Sequence, residues 1–204
     1  VSNIETGAPV TPEMLFRLGS TTKMFTAAAL VTLAEQGKIK LDAPIGNYVK
    51  GLLPKVSALT AHQLLTHTAG LREGQAADPN GSHDDSALAN YIRSWTDGVF
   101  LTEPGKIYSY SNDGFRLAGL VSQEISGKPY ADVMNELLFI PLGMDRTTFR
   151  PTLAMTYPFS QGHVGTGNAM PTVLRPFADN AALWPSGAVF SSVNNLSRFV
   201  IAFV

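Results

Sequence analysis

Residues 20–37 carry the strongest folding instruction in this chain of 204 residues. Met24, Ala27, Ala28, Val31 and Ala34 recur at the spacing of one buried helical face, and Gly37 stands where a left-handed C-terminal cap falls. Ser20-Thr21-Thr22-Lys23 opens this helix. Residues three apart are neighbours on a helix, so the Lys23 amine is expected to reach the Ser20 hydroxyl. The helix start also offers free backbone N–H groups and a partial positive charge, which favours an oxyanion forming beside the serine. A weak nucleophile thereby gains a proton acceptor and charge stabilisation from one short stretch. At ordinary residue frequencies roughly one S-x-x-K arises by chance in a chain of this length. Taken alone, the four residues also describe a serine N-cap with a solvated lysine.

Tyr110-Ser111-Asn112 is the one Tyr-x-Asn in the sequence. It follows the turn signal Glu103-Pro104-Gly105 and precedes a helical pattern with Phe115, Ala118, Val121 and Ile125 on the buried side and Gly127 as the stop. The triplet is thus expected in a loop feeding a helix, where a phenol can point into a cleft. A tyrosine near Lys23 would have its pKa lowered by the ammonium and could pass a proton between Ser20 and a leaving group. Asn112 offers an amide donor and acceptor for orienting Lys23 or a substrate carbonyl. The bland alternative is a half-buried loop tyrosine beside an asparagine that caps the next helix.

These motifs lie in flanking sequence that resembles the serine β-lactamase and penicillin-binding-protein superfamily, on the class C β-lactamase and esterase side. The matching stretches are residues 15–49, 64–71 (LLTHTAGL), 104–120 and 141–149, with a looser match at 184–199. The resemblance implies that Ser20 is acylated, that Lys23 and Tyr110 shuttle its proton, and that Asn112 orients the bound substrate. It implies an α+β fold, β-lactamase/transpeptidase-like, with a helical lobe beside an antiparallel sheet. The family's third motif, Lys-Thr-Gly or His-x-Gly, lies on a strand that also supplies the second oxyanion donor. His163-Val164-Gly165 fits the formula but precedes the 184–199 segment, whereas the family strand follows it. It is therefore read as a chance match, and the third motif as absent from these residues.

Composition describes a compact domain, with 45% hydrophobic and 15% charged residues. A net charge of −1 argues against nucleic acid or an anionic membrane as partner. The longest apolar runs are too short to cross a bilayer. With no cysteine, disulfides, thiolate catalysis and cysteine-based metal sites are excluded. No cofactor is expected, and the partner is a small-molecule acyl substrate. Periplasmic or extracellular location follows from the resemblance alone.

Both ends read as those of a piece of a longer protein. The pattern from Asn194 through Leu196, Phe199 and Val200 is helical and reaches Val204 without a polar exit, and only a short strand near residues 15–17 precedes the nucleophile. Residues 1–204 are accordingly expected to form one β-lactamase-like domain, truncated at both ends, with an incomplete sheet and an uncovered apolar face open to self-association or a complementing chain.

Between the motifs, Thr60-Ala61-His62-Gln63 forms a capping box for a short helix through Leu65. Asp84 and Asp85 open another helix, with Leu88, Tyr91, Ile92 and Trp95 on one face, and residues 131–139 make a third before Pro141. Residues 75–85, rich in Gly, Pro, Asn and Asp, read as an exposed loop. His62 and His67 are five apart, unlike the four that place two metal ligands on one helix face, and no metal site is expected. His67 reads as a structural hydrogen-bonding residue. No G-x-S-x-G elbow is present, and Gly165-Thr166-Gly167 lacks the third glycine of a dinucleotide fingerprint. Trp184, before Pro185-Ser186-Gly187, is a candidate substrate-binding wall, although core packing competes for it.

The sequence thus points to a serine hydrolase acting through an acyl-enzyme, with Ser20, Lys23 and Tyr110 catalytic and Asn112 and Trp184 binding substrate. A β-lactam amide, a carboxylic ester and a D-amino-acid peptide all remain open as the bond attacked. The alternative is a non-catalytic binding or scaffold protein that retains the fold.

Overall fold

The computed structural model describes residues 1–73, 81–165, 167 and 169–203. Its helices are α1 (Thr22–Glu35), α2 (Pro54–Ser57), α3 (Ala61–Leu65), α4 (Ala87–Arg93), α5 (Asn112–Ser126), α6 (Tyr130–Met134), α7 (Pro151–Ala154), α8 (Trp184–Gly187) and α9 (Val193–Ile201). The strands are β1 (Phe16–Arg17), β2 (His163–Val164), β3 (Thr172–Val173) and β4 (Phe190–Ser191). β1 pairs antiparallel with β4, and β2 with β3. The strand expected near residues 15–17 therefore exists and finds its partner near the other end of the chain.

Helix α1 forms where expected and ends before Gly37, whose φ of 71° is the left-handed cap. The face it buries is not the expected one. Phe25, Ala29, Leu30 and Leu33 are fully buried, whereas Met24 is 48% and Val31 42% exposed. Alanines and large apolar side chains surround this helix, so several of its stripes satisfy the same periodicity and tertiary fit chooses among them. The chosen stripe places the Phe25 ring 4.1 Å from that of Phe199 and 5.9 Å from that of Phe139. It also carries two threonines that bond to the chain around α8. Thr26 Oγ1 donates to the Pro185 carbonyl at 2.7 Å, and Thr22 Oγ1 accepts the Val189 N–H at 3.1 Å. The other stripe, with Leu142, Val200 and Phe203, lines an open apolar groove of about 790 Å³.

Other expectations hold with small shifts. Thr60 and Gln63 make the reciprocal capping box of α3. Helix α4 starts at Ala87, two residues after Asp85, and Leu88 and Ile92 on it and Trp95 just beyond it turn inward as expected. The helix expected over residues 131–139 is α6 continued by a wider π-turn at Asn135–Phe139. The helical pattern read from Asn194 begins one residue earlier, as α9, capped by Ser192, whose side chain accepts the Asn195 N–H. Of the loop expected at residues 75–85, positions 75–80 lie outside the described residues, and 81–85 hold neither helix nor strand. Among the described residues no helix is long and apolar enough to cross a membrane.

Helix α5 is the centre of the core, with Leu117, Ala118, Leu120 and Val121 wholly buried and Gly127 capping it at φ 65°. Gly119 lets α8 and α6 approach closely. A Cβ there would overlap the Pro185 ring and stand 3.3 Å from Tyr130 Cδ2. Such overpacking costs about 1–3 kcal/mol, against which alanine regains up to about 1 kcal/mol of helix propensity. Gly119→Ala is therefore expected to lower the denaturant midpoint and, by shifting Pro185 and its neighbour Ser186, to weaken the site described below. An unchanged midpoint would show that the helices separate freely.

The start of α5 is anchored by a buried polar network. Arg116 donates to Asp113 Oδ1 at 2.7 Å and to the Tyr91 hydroxyl at 3.0 Å, and that hydroxyl donates to Asp113 Oδ1 at 2.7 Å. Burial, followed by the charge and hydrogen bond of Asp113, pushes the Tyr91 phenol up to about 12. Burial likewise raises Tyr130. A pKa raised on folding contributes stability that is intact below the unfolded value, about 10 for tyrosine, and is lost as pH climbs toward the folded value. Stability to urea should therefore fall between pH 10 and 12, and Tyr91→Phe should flatten that fall while lowering stability at pH 7. An equally steep fall in the variant would remove Tyr91 from the alkaline transition.

Candidate active site

Ser20 stands in a 3₁₀ turn, Gly19–Thr21, that runs directly into α1. It therefore lies just before the helix it was expected to open. The approach is fixed on both sides. The Leu18 N–H donates to the Val189 carbonyl at 2.9 Å, and Thr22 Oγ1 donates to the Gly19 carbonyl at 2.6 Å. Ser20 itself is exposed. One turn on, Lys23 is only 7% exposed, and its Nζ lies 3.1 Å from Ser20 Oγ, 2.6 Å from Asn112 Oδ1 and 2.7 Å from the Ser186 carbonyl oxygen. An ammonium has three donors. All three are used, on three neutral acceptors.

Tyr110 approaches from the segment before α5, and its hydroxyl donates to Ser20 Oγ at 2.7 Å. The Lys23 Nζ stands 4.8 Å from the centre of the same ring. Burial raises the Tyr110 phenol, but the neighbouring Lys23 ammonium and the hydrogen bond to Ser20 together outweigh it, leaving the phenol below its ordinary value. Glu73 works weakly in the opposite direction.

Ser111 caps α5 by accepting the Gly114 N–H at 3.2 Å. Asn112 is then the first residue of α5, with its carbonyl oxygen on Lys23. Its backbone N–H donates to Glu73 Oε2 at 3.0 Å, and its side-chain NH₂ donates to Glu73 Oε1. Glu73 thus fixes which way the Asn112 amide faces and takes one of its two side-chain N–H donors. Of the two contacts expected of Asn112, the one to Lys23 is formed within the chain.

Four of the five expected site residues, Ser20, Lys23, Tyr110 and Asn112, therefore meet at one place. Trp184 does not join them. It is 3% exposed, its indole N–H donates to Asp179 Oδ1 at 2.9 Å, and its ring lies 6.4 Å from that of Phe149. Its expected place on a substrate wall is corrected to the core, because its one polar atom is satisfied internally. His163 sits on the exposed β2–β3 ribbon, and its Nε2 accepts the Ile4 N–H at 3.0 Å, with no hydrogen bond to the Ser20 group. His62 is exposed on α3, while His67 lies on the turn beyond it and hydrogen-bonds Ser111, as expected of a structural residue. Among the described residues no three His, Asp or Glu side chains converge as metal ligands.

Glu73 and the Ser186 carbonyl were not legible beforehand. An isolated loop glutamate has no pattern, and a carbonyl ligand leaves no trace in residue identity.

The fold and this constellation define the class of protein. The chain belongs to the β-lactamase family: the family profile described as Beta-lactamase matches residues 1–203. It is 31% identical over 156 residues to esterase EstB of Burkholderia gladioli, covering 69% of this chain and 40% of that protein. It is 27% identical over 164 residues to penicillin-binding protein 4 of Amycolatopsis lactamdurans, covering 78% and 42% respectively. It is similar to the solved β-lactamase/D-alanine carboxypeptidase from Pseudomonas syringae, with a TM-score of 0.77 and 27% identity over 99% of this chain and 54% of that one. The fold is thus the β-lactamase/transpeptidase-like one. The chain spans less than half the length of these curated relatives.

The lowered Tyr110 phenol is directly measurable. In an ultraviolet titration, one tyrosine should ionise below the ordinary value near 10. In Lys23→Met the lysine contribution vanishes while burial remains, so that early step should move upward past 10. An early step that survives in Lys23→Met would assign the low value to another tyrosine.

Proposed function

We propose that this chain carries the acylating apparatus of a serine hydrolase, with Ser20 as nucleophile, Lys23 and Tyr110 as its proton-transfer pair, and Asn112 holding Lys23 in place. The observation that carries this reading is the double contact of Ser20 Oγ, 2.7 Å from a phenol and 3.1 Å from an ammonium. Both groups donate to the serine oxygen, so activation requires one of them to lose a proton. The Tyr110 phenol is the better placed, being partly exposed and held low by Lys23. As phenolate it takes the Ser20 proton while Oγ bonds to the acyl carbon, and it returns that proton to the departing nitrogen or oxygen as the acyl bond breaks. The positive end of α1 favours the oxyanion formed between these steps.

The substrates proposed are β-lactam amides, carboxylic esters and D-amino-acid peptides. Relatives described as a penicillin-binding protein, an esterase and a β-lactamase/D-alanine carboxypeptidase support that range. All three bonds are acyl donors to one nucleophile and differ in how the acyl and leaving groups are held.

The test is covalent labelling of the protein by a fluorescent penicillin and by a fluorophosphonate. Ser20→Ala should abolish both labels while leaving the circular dichroism spectrum unchanged. Lys23→Ala and Tyr110→Phe should each slow labelling by roughly a hundredfold or more, the usual scale for lost general acid–base help. The double variant should be little worse than either single one, because a relay fails as a unit. Full labelling of Ser20→Ala would remove Ser20 from the mechanism. No labelling of the native protein by either reagent would favour a binding protein that retains the fold.

A further inference from the structure

Among the described residues, His67 is the one residue other than glycine with a left-handed backbone, at φ 57°. Histidine is one of the few side chains enriched there, but the conformation persists only where surroundings enforce it. The enforcement here comes from the Tyr110 segment. Residues 67–72 and 99–111 are joined by backbone hydrogen bonds from Arg72 to Val99 at 3.0 Å, Leu101 to Gly70 at 2.8 Å, Gly105 to Thr68 at 2.7 Å and Ser109 to His67 at 2.9 Å. Beyond the last of these, the imidazole takes over. Its Nδ1 accepts the Ser111 N–H at 3.0 Å, and its ring stacks on that of Tyr110 with centres 4.5 Å apart and planes 30° from parallel. Tyr110 is thus flanked by two residues tied to His67 and rests on the ring between them.

We propose that His67 is a positioning residue that aims the Tyr110 hydroxyl at Ser20, and that it does so only as the neutral imidazole, so that mild acid disables the site by releasing the 109–111 segment. A backbone N–H can only donate, so Nδ1 must be unprotonated and the ring proton must sit on Nε2. Protonation would set an Nδ1–H against the Ser111 N–H. Among the described residues, the charged and titratable groups around the ring are Lys23 from α1, Glu73 from its own segment, and the phenols of Tyr108 and Tyr110 from the facing one, while α5 presents the Phe115 ring. Burial, and then the Lys23 charge, hold His67 below the ordinary histidine value near 6.5, against a smaller pull from Glu73. The switch therefore lies on the acid side of that value.

This inference rests on the reading of Ser20 as nucleophile, and its test separates the two. The rate of fluorophosphonate labelling is followed from pH 4 to 8 in the native protein, His67→Asn and His67→Ala. Asparagine tolerates a left-handed backbone and places Oδ1 near the site of Nδ1, but it neither stacks nor titrates. His67→Asn should label about tenfold more slowly at pH 7 with unchanged reagent saturation, and its acid limb should lose one proton from its slope. His67→Ala, lacking the acceptor as well, should be slower still. An acid limb of unchanged slope in His67→Asn, or an unchanged rate at pH 7, would overturn the proposal. The clamp is also read without catalysis, in Ser20→Ala, where the Tyr110 ring resonances should shift as His67 titrates. A native protein that never labels overturns the acyl-enzyme reading, and the Tyr110 resonances then decide the clamp: unmoved through the His67 titration, they overturn it too.

Discussion

A buried ammonium organises this structure. Lys23 would destabilise the chain heavily if left without partners. Its three acceptors come from three places that are distant in sequence: the turn at Ser20, the start of α5 and the carbonyl of Ser186 in α8. Each place must be held to a fraction of an ångström for the charge to be tolerated. The surrounding structure reads as the means of holding them. Thr22 and Thr26 bind α1 to residues 185–189, β1 pairs with β4 on the same seam, and Gly119 admits Pro185 into contact with α5. The interaction that satisfies the lysine is thus also what brings the serine, the asparagine and the tyrosine segment together.

The same logic explains what was legible in the sequence and what was not. Local chemistry announces itself: the capping box at Thr60 and Gln63, the glycine stops at Gly37 and Gly127, and the serine and lysine one turn apart were all readable, because each depends on residues within one or two turns. The buried face of α1 was not. A helix apolar on every side gives no local reason to prefer the Phe25 stripe over the Met24 stripe, and the preference comes from Phe139, Phe199 and residues 185–189, all far along the chain. Trp184 stood between a substrate wall and the core for a related reason: the distant Asp179 decides it by supplying an internal acceptor that lets the indole enter the core.

Polar supporters of the site form a third class, in which identity is uninformative and only placement matters. Glu73 is an exposed loop residue until Asn112 gives it two donors, and Ser186 contributes a backbone atom that any residue possesses. Asn112 therefore sits between opposite charges, its oxygen toward Lys23 and its nitrogen toward Glu73. An amide in that field has one favoured orientation, since rotation by half a turn would point its NH₂ at the ammonium and its oxygen at the carboxylate.

That orientation bears on which member of the proposed pair gives up a proton. If Lys23 were the one, its two remaining N–H groups would stay on Asn112 and Ser186 and its lone pair would accept the Ser20 hydroxyl, but the positive charge that holds the Tyr110 phenol low would be gone. If Tyr110 is the one, every lysine contact survives, and the new phenolate gains the ammonium 4.8 Å from its ring as a counter-charge. The phenol is also the more exposed of the two, so its charged form retains water on one side. On the proposed mechanism Lys23 is then a fixed positive charge that tunes Tyr110, and the tyrosine is the group that moves the proton. Its three contacts are all to neutral acceptors, so no carboxylate among the described residues offsets its charge before that charge reaches the phenol beside it.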